Sequence, residues 1–124
     1  MSHKVIPILR IFDEAKAREF YIDWLDFSVD WEHRFDSNTP LYMQVSKEDI
    51  VLHLSEHHDD GCPGAKVFIE TSEGLARYQK LLIEKNYKYG HPGLEEAPWN
   101  AITLTLHDPF GNKLLFSEKK MEHG

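Results

Sequence analysis

Two stretches of the chain repeat one pattern of apolar and polar positions. "PILRIFDEAKAREFYIDWLDF" opens with a short apolar run, places Asp13 at an N-cap position and continues as a helix. Ala17, Phe20, Tyr21, Trp24 and Leu25 fall at i, i+3, i+4, i+7 and i+8, one stripe of an amphipathic helix. Roughly sixty residues later "KVFIETSEGLARYQKLLIEKNY" follows the same plan. Here Ser72 is the expected N-cap, and Leu75, Tyr78, Leu81 and Leu82 form the stripe.

Strand signals follow each helix: "VDWEHRF", "LYMQVS" and "IVLHLS" in the first half, "YKYGH", "AITLTLH" and "KLLFSE" in the second. "DPFGN" between the last two reads as a type I turn, with Asp108 first, Pro109 second and Gly111 fourth. The predicted fold class is therefore α+β, two βαβββ modules at about residues 4–60 and 65–118 within a single domain spanning 1–124. "DDGCPGA" is the natural seam. Neither module buries its sheet alone, so two curved mixed sheets, helices outward, are expected to form a cleft.

The composition, 41% hydrophobic and 28% charged, is that of a globular protein. No apolar run reaches the roughly 18 residues a membrane helix needs. The start, Met1-Ser2-His3-Lys4, shows no signal-peptide pattern, and one cysteine forms no internal disulfide, so a cytoplasmic location is expected. The net charge of −7 disfavours nucleic acid and anionic membranes and favours a cationic ligand.

Chemistry concentrates in "IVLHLSEHHDDGCPG". Strand alternation puts Val51, His53 and Ser55 on one face and Ile50, Leu52, Leu54 and Glu56 on the other, so a helix-packed Leu face points His53 into the cleft. His57, His58, Asp59 and Asp60 read as a polar loop; an HxxxH pair suits zinc on a helix, and this segment is β-patterned. Cys62 has acids and no cations nearby in sequence, so it reads as a loop thiol without a role. No nucleophile elbow, P-loop or dinucleotide glycine pattern is present, and no catalytic residue is assigned. In "VDWEHRF", alternation puts Val29, Trp31, His33 and Phe35 on one face and Asp30, Glu32 and Arg34 on a solvated one. Trp24 belongs to the helix stripe and the core, whereas Trp31, Phe35 and Trp99 are candidates for stacking a flat or cationic ligand.

The paired modules, with "IPILRIFDEAKAREFYIDWLDFSVDW" and "APWNAITLTLHDPFGNKLLFSE" as the carrying stretches, resemble the glyoxalase/bleomycin resistance protein/dioxygenase (vicinal oxygen chelate) superfamily. Within it the chain is most similar to bleomycin-resistance proteins. Leu25-Asp26-Phe27 departs from the family's usual Leu-Gly-Phe, where glycine serves as a left-handed helix stop. Enzymes of the superfamily hold a divalent metal at four places that fall here, to within one residue, on Ile6, His53, Lys66 and Leu115. Only His53 is a ligand type, short of the about three that a catalytic site needs, so no metal and no cofactor are expected. The resemblance implies a non-catalytic protein that sequesters a cationic or aromatic, bleomycin-like antibiotic in a homodimer. The first strand is often swapped between subunits in such dimers, and Pro7 matches a proline typical of that arm. It nominates Trp31, Phe35 and Trp99 for stacking and His53 and Glu56 as polar contacts. The alternatives are a metal-dependent enzyme of the superfamily (lyase, isomerase, thiol transferase or extradiol dioxygenase) and a structural or regulatory protein with a vestigial cleft.

Overall fold

The structure, a computed structural model, describes residues 2–60, 64–88 and 90–120. Cys62 and most of the seam around it lie outside the described residues. The chain divides into two compact units, one formed by residues 1–65 with 108–112, the other by 66–107 with 113–124.

In the first unit β1 (Ile8–Arg10) leads into α1 (Glu14–Arg18), then β2 (Ser28–His33), β3 (Tyr42–Lys47) and β4 (Ile50–Ser55). Asp13 caps α1 as expected, its side chain accepting the Lys16 N–H at 3.0 Å. The helix then widens into a π-helical turn over Glu19–Trp24, with the Leu25 N–H bonded to the Phe20 carbonyl at 3.1 Å. All five stripe residues, Ala17, Phe20, Tyr21, Trp24 and Leu25, are buried. Asp26 ends the helix at φ 66°, the left-handed conformation expected of its position.

The sheet order is β1-β4-β3-β2, with β1 and β4 parallel and the other pairs antiparallel. Met43 and Val45 lie opposite Leu54 and Leu52, and all four are buried. Burying each such side chain stabilises the fold by about 1.5 to 3 kcal/mol. Tyr21 is fully buried, and its hydroxyl donates to Asp108 Oδ2 at 2.7 Å. The other Asp108 oxygen accepts the Phe110 and Asn112 N–H groups at 2.8 Å each, and Asn112 Nδ2 joins Asp108 Oδ2 at 2.8 Å. That carboxylate shapes the "DPFGN" turn, with Gly111 at φ 89° in fourth place.

The second unit runs β5 (Lys66–Glu70), α2 (Leu75–Glu84), β6 (Leu94–Ala97), β7 (Ala101–His107) and β8 (Lys113–Lys119). Its sheet repeats the first, in the order β5-β8-β7-β6 with β5 and β8 parallel. Leu104, Leu106, Leu114 and Phe116 are buried, as are Leu75 and Leu82 of α2, which lies on β7 and β8.

Three sequence expectations need correction in this unit. Ser72 is not the N-cap: α2 starts after Gly74 at φ 86°, and its first N–H, on Leu75, is taken by Glu118 Oε1 from β8 at 3.0 Å. A carboxylate at a helix N-terminus meets both the free N–H and the dipole, so the capping residue comes from elsewhere in the sheet. Leu81 is 40% exposed, because the ten-residue helix buries only Leu75 and Leu82, with Tyr78 half-buried between them. The strand expected at "YKYGH" is displaced to Leu94–Ala97, an exposed edge strand carrying Glu95 and Glu96. Edge strands tolerate charge on both faces, and such a strand shows no period-two apolar signal. Among the described residues, no helix is long and apolar enough to cross a membrane.

Candidate functional site

The face of the first sheet turned away from α1 is assembled by strand register. Lys47 pairs with Ile50 across the two-residue Glu48–Asp49 turn, which sets Gln44 opposite His53 and Tyr42 opposite Ser55. On the other side of β3, β2 carries a bulge between Val29 and Trp31. The bulge overturns the alternation expected of "VDWEHRF": Val29 sits opposite buried Val45, whereas Trp31 sits opposite Gln44 on the His53 face. Asp30 also turns to that face, where it accepts Gln44 Nε2 at 3.0 Å and Ser46 Oγ at 2.9 Å. Glu32 and Arg34 instead meet Arg18 and Glu14 of α1 in ion pairs.

These groups form one chain of hydrogen bonds whose directions are fixed. Both Gln44 and Ser46 donate to Asp30, and these bonds hold its carboxyl below the usual range, so it is ionised. Gln44 must point its amide nitrogen at Asp30, which leaves Oε1 facing His53 Nε2 at 3.0 Å. His53 therefore carries its proton on Nε2, and Nδ1 accepts the Tyr42 hydroxyl at 2.7 Å. Burial lowers the His53 pKa, and burial followed by the charge of Asp60 raises that of Tyr42, so both stay neutral at neutral pH. Trp31 stacks on Tyr42, ring centroids 6.0 Å apart and planes 10° apart, and meets the His53 ring edge-on at 5.2 Å. The indole remains 42% exposed.

Of the residues singled out in the sequence, Trp31 and His53 thus share one surface, with Tyr42 and Gln44 as partners that residue-type reasoning missed. Phe35 lies beyond the end of β2 and is 88% exposed. Glu56 lies just past β4, where its carboxylate accepts the Leu41 N–H at 2.9 Å and approaches Arg34 at 3.8 Å, anchoring the entry to β3. Among the polar loop residues, His57 reaches the Tyr42 ring at 6.3 Å, Asp60 accepts the Ser55 hydroxyl at 2.8 Å, and His58 and Asp59 are exposed.

Trp99 belongs to the second unit. It precedes β7, and its indole N–H donates to Ser117 Oγ of β8 at 3.1 Å, which pins a ring that is still half exposed. Beside it lies a cavity of about 440 Å³ bordered by Phe68, Glu70, Ser117 and Lys119.

The superfamily's metal positions test poorly for a divalent ion. In the ladders, Ile8 stands directly across from His53 and Phe68 across from Leu115, so shifting the alignment by a step or two along β1 or β5 supplies no donor. Lys66 is an exposed cation, and both His53 nitrogens are engaged by protein partners. Among the described residues, no three His, Cys, Asp or Glu side chains converge. The donor set does not fit the metal.

The profile of a family described as "Glyoxalase superfamily protein" matches residues 1–123. No curated protein matches the sequence. Solved structures with the same fold include a bleomycin-binding protein complexed with bleomycin, at 18% identity and TM-score 0.69, over 96% of this chain and all of that one. A member of the glyoxalase/bleomycin resistance protein/dioxygenase superfamily from Sphaerobacter thermophilus DSM 20745 matches at 21% identity and TM-score 0.67, over 95% and 98% of the two chains. TnmS3, an antibiotic binding protein from Streptomyces sp. CB03234, matches at 15% identity and TM-score 0.63, over 97% and 99%. With two strand-helix-strand-strand-strand units and a profile match along nearly its whole length, the chain belongs to the glyoxalase/bleomycin resistance/dioxygenase superfamily.

Proposed function

We propose that this protein binds a small flat or cationic molecule without transforming it, in the manner of bleomycin-resistance proteins, and does so as a cytoplasmic homodimer. The observation that carries the reading is the Trp31–Tyr42 shelf above an imidazole whose two nitrogens are both hydrogen-bonded within the protein. Such a histidine is a poor general base and a poor metal ligand, because either role first requires breaking a bond. What remains available is aromatic surface beside the ionised Asp30, a surface suited to stacking and cation–π attraction of about 0.5 to 2 kcal/mol per contact. The bleomycin-binding and antibiotic-binding neighbours support the same reading. In the dimer, the short β1 ladder to β4, which here closes within one chain, is the element available for exchange between subunits.

The test is titration with bleomycin, followed through the tryptophan indole resonances, with light scattering for the oligomeric state. Saturable shifts at Trp31 and Trp99, lost in Trp31→Ala and Trp99→Ala respectively, are expected. A titration without shifts at saturating drug refutes the bleomycin type. A divalent metal bound in stoichiometric amount after dialysis, and released by His53→Ala, favours the metal-dependent enzyme instead.

A further inference from the structure

The cavity beside Trp99 has a charge arrangement that the cationic-ligand reading does not use. Its border carries one carboxylate, Glu70 of β5, and one ammonium, Lys119 of β8. Among the described residues, neither side chain forms an ion pair or a hydrogen bond. The register sets Glu70 opposite Ser117, two residues before Lys119, so the two Cα atoms are diagonal neighbours on adjacent strands, roughly 8 Å apart. Both charges are exposed, and the half-exposed rings of Phe68 and Trp99 line the same cavity.

The polar floor is asymmetric as well. Ser117 Oγ accepts the Trp99 indole proton, so the hydroxyl's own proton is left to be donated. Thr71 and Ser72 add two further hydroxyls to the border. An aromatic slot with an anion at one corner, a cation at the next and a hydroxyl donor between them matches a ligand that carries both charges close to a flat ring. A purely cationic ligand would meet Glu70 but be repelled by Lys119, and a purely anionic one the reverse.

We infer that the second-unit cavity is selective for zwitterionic aromatic ligands, with Glu70 receiving the cationic group, Lys119 the anionic group and Trp99 the ring. This rests on the binding reading above and narrows its ligand class. Three indole probes isolate the charges: L-tryptophan carries both, tryptamine only the ammonium and indole-3-propionate only the carboxylate. Their affinities are read from the Trp99 indole N–H resonance of the full chain. L-Tryptophan should bind about two- to fivefold more tightly than either singly charged probe, the scale of one exposed charge contact. Lys119→Ala should erase its advantage over tryptamine, and Glu70→Gln its advantage over indole-3-propionate. Equal affinities, an advantage that survives both substitutions, or no shift of Trp99 with any probe overturns the assignment. Because bleomycin tests the binding reading separately, a drug titration that succeeds while the probes fail to rank removes the zwitterion assignment alone. The reverse outcome removes the bleomycin type and keeps the zwitterion assignment.

Discussion

Removing one oxygen atom, in Tyr21→Phe, tests the polar clasp at the base of the first unit. The Tyr21 hydroxyl is fully buried and donates at 2.7 Å to a carboxylate that is itself only 7% exposed. A hydrogen bond to a charged acceptor contributes about 1.5 to 3 kcal/mol net, against about 1 for a neutral pair. Asp108 Oδ2 keeps the Asn112 amide at 2.8 Å in the variant, so no acceptor is orphaned and the loss should stay within that range. For a chain of this size each kcal/mol lowers Tm by about 3 to 5 °C, so the variant should melt roughly 5 to 15 °C below the parent. Urea unfolding with an unchanged m-value would show that the native state has lost a bond and not its compactness.

The same residue has a pH signature. Burial, reinforced by the Asp108 charge and the bond to it, raises the Tyr21 pKa well above its ordinary value of 10.0. The native state then keeps a proton that the unfolded chain gives up as pH rises through about 10, so this contribution is whole below that pH and is lost above it. Tyr21→Phe should therefore be less stable than the parent at pH 7, and its stability should fall less steeply above pH 10. A variant within 0.5 kcal/mol of the parent, or one with an unchanged alkaline decline, would refute the clasp, taking about 0.5 kcal/mol as the noise of such comparisons.

His53 should titrate below the ordinary histidine range by NMR, because burial disfavours its cation. Since the unfolded chain then protonates first, the associated stability is present at neutral pH and is lost as pH falls below about 6.5. An imidazole that titrates at or above that value would contradict the neutral Nε2–H form. Glu48 stands at φ 53° in the β3–β4 turn, so Glu48→Gly should raise stability by about 0.5 to 1 kcal/mol in urea unfolding; a loss would mean the left-handed strain is absent. Glu118→Ala removes the cap on α2 and should cost about 0.5 to 2 kcal/mol, with amide exchange accelerated first at Leu75; exchange unchanged there would show that the cap is idle.

The apolar faces were legible because burial and alternation report one thing. Met43 and Val45 against Leu52 and Leu54, and Leu104 and Leu106 with Leu114 and Phe116, follow from period two alone. Gln44 opposite His53 was also within reach: a two-residue turn at Glu48–Asp49 makes every cross-strand pair sum to the same number. The bulge at Asp30 was not. It moves one acidic residue from the face that alternation assigns to the opposite one, and "VDWEHRF" carries no glycine to mark it. The distant cap on α2 was equally hidden, because Glu118 lies more than forty residues beyond the helix start it serves.

The two units share a strand order and an apolar side, yet their polar sides behave in opposite ways. In the first, Asp30, Gln44, Ser46, His53 and Tyr42 satisfy one another, so a ligand meets a surface with its hydrogen bonds already assigned and gains mainly from ring contact. In the second, Glu70 and Lys119 are left unpaired beside a pinned indole, so a ligand there gains from charge and donors as well as stacking. Breaking a satisfied network costs about 1 to 3 kcal/mol for each polar group left unpaired, whereas engaging a solvated charge displaces only water. Trp31 and Tyr42 should therefore set how strongly the first face holds a flat molecule, and Glu70 and Lys119 should decide which flat molecule the second face prefers. Substitutions at the first pair should lower affinity by a similar factor for every ligand that the first face holds. Substitutions at the second should reorder ligands while leaving the weakest binders unaffected. A uniform loss from substitutions at Glu70 and Lys119, with no reordering of ligands, would reduce the second face to an undifferentiated apolar surface.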